Sequence, residues 1–125
     1  MKNILHIISS PRGADSVSIQ LGNAIVEKLQ AEYPGSSVNE INLANNPLRH
    51  LTEAQIHALR TPQDARTAAH TELLKDSDQA IKDLNEADVV VIGLPLYNFG
   101  IHSTLKTWLD NIVRAGVTFS YGENG

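Results

Sequence analysis

Val89-Val90-Val91-Ile92-Gly93-Leu94 is an unbroken apolar run with no polar alternation. A strand with one wet face alternates, so a run without alternation has to be covered on both faces, as strands inside a parallel sheet are. The run stops at once in Pro95-Leu96-Tyr97-Asn98-Phe99-Gly100. Ile4-Leu5-His6-Ile7-Ile8 repeats the pattern and is ended by Ser9-Ser10-Pro11-Arg12-Gly13. A weaker extended stretch, Val38 to Leu43, is closed by Ala44-Asn45-Asn46-Pro47. Helical spacing fills the intervals. Leu21, Ala24, Ile25 and Leu29 mark a first helix, with Ser16 or Ser18 as its N-cap and Tyr33-Pro34-Gly35 as its stop. Thr52-Glu53-Ala54-Gln55 has the form of a capping box ahead of Ile56 and Leu59.

A long helix is predicted over Arg66 to Asn85, with Ala69, Leu73, Ala80, Ile81 and Leu84 toward the core. A last helix runs from Ser103 to Arg114, with Leu105, Trp108, Leu109, Ile112 and Val113 as its core stripe and Gly116 as its C-cap. Val117 to Tyr121 reads as extended. Strand–helix–strand–helix–strand–helix is the pattern of a parallel sheet with helices on both faces.

At 125 residues the chain has room for a single domain spanning 1–125. Its apolar fraction of 42% and charged fraction of 19% exclude a disordered tail and a coiled coil. The absence of cysteine excludes disulfides, thiolate metal sites and a thiol nucleophile, and fits a reducing compartment. A net charge of −4 with no basic stripe argues against a nucleic-acid partner. No apolar run reaches the roughly 20 residues of a membrane span, and Ile4–Ile8 is too short for a signal-peptide core, so a cytoplasmic location is expected.

In an open parallel sheet, ligands bind beyond the carboxyl ends of the strands, where the strand order reverses. Two loops leave such ends. Ser9 to Ser18 brings hydroxyls and amides to a helix N-terminus, whose free donors and dipole suit a phosphate. It has neither the Gly-x4-Gly-Lys nor the Gly-x-Gly-x-x-Gly pattern, and a polar turn with an ordinary Ser N-cap accounts for it equally well. In Pro95 to Gly100, Asn98 donates and accepts through its amide, while Tyr97 and Phe99 either face a flat ligand or pack beneath the loop. Together the two loops describe a site for a flat phosphorylated cofactor.

Ser-Ser-x5-Ser-x-Ser after the first strand and Pro-Leu-Tyr-Asn-Phe after the third resemble the FMN-dependent NADH azoreductases, also described as quinone reductases. The block from Tyr97 to Asp110, the stretch Arg114 to Phe119 and the ending Tyr121 to Gly125 follow that family too. The resemblance covers the whole chain, most loosely over residues 44–70. It implies a flavodoxin-like, doubly wound α/β sheet with non-covalent FMN and NADH as electron donor. Ser10, Ser16, Val17 and Ser18 would hold the FMN phosphate. Leu96, Tyr97, Asn98 and Phe99 would line the ribityl chain and the isoalloxazine ring. Electrons would pass to a quinone or an azo compound, with no indispensable acid or base, in a homodimer. The family often has Pro where His102 stands. The resemblance also implies strand order 2-1-3 here, with strands 4 and 5 and a Gly-rich flavin loop lying outside this chain.

The other chemistry-bearing residues have plain readings. His6, His50, His57, His70 and His102 share no metal-ligand spacing. Arg12 either helps to neutralise a phosphate or is a solvated loop residue. Asp110 and Arg114, four apart, are expected to pair on the last helix. Ser9, Ser10 and His6 lack a nucleophile elbow, which leaves a hydrolase weakly supported. Two further expectations stand beside the oxidoreductase: a flavodoxin-type electron carrier without NADH turnover, and a non-catalytic remnant that self-associates through the unpaired edge at Val89–Leu94.

Overall fold

Strand β1 (Asn3–Ile8) lies between β2 (Ser37–Asn42) and β3 (Val89–Gly93), parallel to both, in a computed structural model that describes all 125 residues. Ile4 aligns with Val38 on one side and Val89 on the other; Ile8 aligns with Asn42 and Gly93. The order β2-β1-β3 is the one expected. It follows from burial: β1 is buried on both faces and takes the centre, while β2, with Ser37, Asn39, Glu40 and Asn42 among its six residues, is largely polar and takes an edge.

The helices lie on opposite faces. Helix α1 (Val17–Glu32) packs Val26 against Ile4 and Val91. Helix α2 (Glu53–Arg60) packs on α3 (Ala68–Glu86), and α3 packs on α4 (Ser103–Ile112). On that second face Ala80 and Ile81 of α3 and Leu105, Trp108 and Ile112 of α4 close over Leu5, Ile7 and Leu43. Their caps are those the sequence signals. Thr52 and Gln55 form a reciprocal capping box on α2, and Ser16 caps α1 by accepting from the Ile19 N–H at 3.2 Å.

Four expectations are corrected. Leu21, Ala24 and Ile25 do not face the core of α1, and Leu21 is 61% exposed. The buried face is Gly22 and Val26, because the helix is laid down where Gly22 passes over the His6 ring. An added Cβ at Gly22 would lie 2.7 Å from His6 Nε2, so only glycine lets α1 sit this close. On α3, Ala69 is exposed, Leu73 and Leu84 are half-buried, and Leu74 and Ser77 join Ala80 and Ile81 as the buried residues. Helix α4 ends with Val113 as its C-cap, exposed and not in the core stripe, and Gly116, at φ 78°, instead opens a turn closed by its bond to the Phe119 carbonyl; Val117–Tyr121 is no strand. Asp110 pairs with Lys106 at 2.6 Å, while Arg114 turns inward to Ser77 and Asp78 on α3.

Candidate functional site

Strands β1 and β3 are neighbours whose connections leave toward opposite faces, which makes the gap beyond Ile8 and Gly93 the switch point of the sheet. Both loops singled out from the sequence start there. The buried Ser9 hydroxyl donates to the Gly93 carbonyl at 2.8 Å and ties one loop to the other. Gly93 also sets how closely α1 approaches. A Cβ there would lie 3.2 Å from the Ser18 carbonyl oxygen, so the first turn of α1 rests on the end of β3. The lone glycine in a β-branched run carries that signal in the sequence.

The structure gathers Ser10, Ser16, Val17 and Ser18 around a depression of about 330 Å³, together with Arg12, Leu21, Leu94 and Pro95. Ser10 and Ser16 are buried, and the Ser16 and Ser18 hydroxyls meet at 3.0 Å. The Ser10 oxygen accepts from the Arg12 N–H at 3.3 Å, which curls the loop over its own serine. Ser16 satisfies only the Ile19 and Gln20 amides, leaving the Val17 and Ser18 N–H groups of the first turn without a protein acceptor. The free amides and Arg12 can only donate, the serine hydroxyls can donate or accept, and no carboxylate lines the depression. That donor set fits a phosphate monoester.

Leu96, Tyr97, Asn98 and Phe99 do not line the depression; they stand beside it, beyond Pro95. Tyr97 and Gly100 exchange both backbone hydrogen bonds, at 2.8 and 2.9 Å. The two residues between them, Asn98 and Phe99, have φ of 47° and 67°. Positive φ at both central positions is the mirror-image turn that normally selects Gly or Asn, so Phe99 is held in a strained conformation. Its side chain is 100% exposed. A strained backbone presenting a bare aromatic ring is a shape held for something other than its own packing.

At the opposite end of the sheet, a cleft of about 190 Å³ is lined by Asn3, Ser37, Asp83 and Glu86 among others. It has no cation to receive an anionic ligand. No helix is long and apolar enough to cross a membrane.

A family profile described as a flavodoxin-like fold matches residues 2–125. This chain belongs to the flavodoxin-like fold family. Within that family, it is 47% identical over 125 residues to the FMN-dependent NADH:quinone oxidoreductase of Rhizobium johnstonii, covering 100% of this chain and 61% of that protein. It is also 47% identical to the protein of the same name from Paraburkholderia phymatum, covering 63% of it. Among solved structures, the FMN-dependent NADH-azoreductase of Bacillus anthracis in complex with FMN superposes with a TM-score of 0.85 at 28% identity, over 100% of this chain and 61% of the other. This flavodoxin-like chain therefore spans about 61% of the length of the first relatives that it matches.

Proposed function

We propose that the chain is the flavin-phosphate-binding part of an FMN-dependent oxidoreductase that takes electrons from NADH and passes them to quinones or azo compounds. The observation that carries this reading is the donor-rich, carboxylate-free cradle of Ser10, Ser16, Val17 and Ser18 at the switch point. The names of the relatives supply the cofactor and the reaction class.

In this reading Ser10, the Ser16 and Ser18 hydroxyls and the free Val17 and Ser18 amides hold the FMN phosphate. Arg12 adds a positive charge at the rim. Leu96, Tyr97, Asn98 and Phe99 flank the ribityl chain and the ring, with the exposed Phe99 side chain offering an apolar face. FMN, when bound, supplies two-electron chemistry, accepting hydride and delivering electrons to an organic acceptor. The protein binds the phosphate, orients the ring and keeps water from one side of it. No residue of this chain is given an acid or base role. Residues 1–125 act as one partial flavin-binding domain, in a cytoplasmic homodimer.

A second reading, without turnover, rests on exposed apolar surface. Val17, Leu21 and Ile25 form an uncovered stripe on α1, and the outer edge of β3 is unpaired. Such a surface favours self-association of the chain over catalysis.

The test is binding and turnover on the purified chain. FMN is expected to bind more tightly than riboflavin, which lacks the phosphate, and to support NADH-dependent quinone reduction. Equal affinity for the two flavins would remove the phosphate cradle from the reading. Tight FMN binding without turnover would favour the second reading for this chain.

A further inference from the structure

We infer that His102 is a positioning residue that holds the strained Tyr97–Gly100 turn through its ring, not merely by capping α4. The inference rests on the flavin reading above for its purpose, though not for its geometry. Asn98 and Phe99 both occupy the left-handed region, and Phe99 is fully exposed, so no packing of its side chain holds the strain. Strained residues persist only where their surroundings over-determine them. Two backbone hydrogen bonds close the turn, and both belong to Tyr97 and Gly100. Whatever fixes Tyr97 therefore fixes the turn.

The Tyr97 hydroxyl makes no hydrogen bond within the chain, and the residue is partly exposed. Its ring instead meets the His102 ring edge-on, with centroids 5.5 Å apart and planes at 68°, a favourable aromatic arrangement. The His102 ring is itself immobilised. Its Nδ1 accepts from the Thr104 N–H at 3.2 Å and meets the Thr104 hydroxyl at 2.7 Å. Accepting at Nδ1 puts the proton of the neutral ring on Nε2 and sets the ring plane. A rigid path thus runs from the first turn of α4 through His102 and Tyr97 to the two residues at positive φ. Ser or Asn at this position would cap the helix equally well, yet would leave Tyr97 with nothing to lean on.

Two variants separate ring from cap. His102→Asn keeps a capping acceptor and removes the ring; His102→Phe keeps a ring and removes the cap. Both are read by the melting temperature, by amide exchange at Tyr97 and Gly100 in the flavin-free chain, and by FMN titration. In His102→Asn the two turn amides should exchange faster and FMN should bind roughly three- to tenfold more weakly, with melting near that of the parent. In His102→Phe, whose ring keeps its place beside Tyr97 but loses the Thr104 bonds, turn protection and FMN affinity should lie between those of the parent and of His102→Asn, while melting falls. Unchanged exchange and affinity in His102→Asn, or turn protection in His102→Phe no better than in His102→Asn, would overturn the inference. Should the parent chain fail to bind FMN, the flavin reading falls, and the exchange data alone still decide whether His102 holds the turn.

Discussion

The Ser9 hydroxyl donates to the Gly93 carbonyl oxygen at 2.8 Å across 84 positions of sequence. Ser9 is fully buried at the exit of β1, and Gly93 is the last residue of β3. This one bond fixes the separation of the two loops that flank the switch point. Ser9→Ala should leave the carbonyl without that partner and cost about 1–2 kcal/mol in chemical denaturation. It should also weaken FMN binding, because the two loops are then free to part. Parent-like stability in urea melts would show that water replaces the hydroxyl.

Gly93→Ala tests the close approach of α1. The added methyl would press on the Ser18 carbonyl at 3.2 Å, a backbone atom that moves only with the helix. Destabilisation of about 1–3 kcal/mol is expected, as for other overpacked sites. The sharper expectation concerns the ligand. Because the displaced turn carries the Val17 and Ser18 amides, FMN should lose more affinity than riboflavin in paired titrations.

His6 makes stability depend on pH. It is 1% exposed, its Nε2 has no partner, and burial holds its pKa below the ordinary 6.5 even though Glu40 on β2 pulls the other way. Glu40 Oε2 stands 3.8 Å from Nδ1; β3 carries no titratable side chain, and Glu27, Lys28 and Glu32 of α1 are exposed. The unfolded chain takes up a proton at 6.5 that the folded chain resists. This contribution is therefore absent above that pH and turns into a growing loss of stability as pH falls below it, down to the folded-state pKa. Denaturation midpoints measured from about pH 7.5 to pH 5 should fall less steeply for His6→Val than for the parent. Identical slopes would mean that His6 gains a partner when it is protonated.

The uncovered stripe on α1 and the open edge of β3 predict concentration-dependent association of the isolated chain. Leu21→Lys should shift light-scattering mass toward the monomer, because a charge is placed in the middle of the stripe. Val113→Lys, equally surface-exposed but on α4, serves as the control and should have little effect. A parent chain that remains monomeric at high concentration would count against the second reading of function.

Much of the fold was legible because burial writes directly into composition. The β-branched run around Ile7 is the interior strand that its pattern implies, and Thr52 with Gln55 can hardly be anything but a helix start; the equally apolar run around Val91 is expected to be covered on both faces but forms an edge strand here, with Val90 and Ile92 exposed. The depression beyond β1 was legible through residue types, since the serines after β1 bring hydroxyls to a helix N-terminus. The face of α1 was not. Leu21 and Ile25 look like core by period, and the true buried face is set by Gly22 yielding to His6, a contact between elements that periodicity does not encode. The partner of Arg114 was missed for the same reason. Local spacing offers Asp110, but the chain fold brings Asp78 and Ser77 of α3 to the same guanidinium. The strain at Phe99 left no trace in the sequence either, because a Tyr-Asn-Phe-Gly stretch is compatible with several turns and the choice is made by what lies on either side.

The central place of β1 has a consequence for how the chain reaches this state. Asn3 is bonded to Ser37 across 34 positions and to Asp88 across 85. The most apolar segment therefore finds its second partner only after most of the residues described here have been made. Until then Ile4, Leu5, Ile7 and Ile8 form half of a sheet with one side open. Contacts this distant slow folding and lengthen the time for which sticky surface is on display. A chain built in this order leans on whatever shields β1 during synthesis, and its yield in a cell should respond to translation speed and chaperone supply more than its final stability would imply.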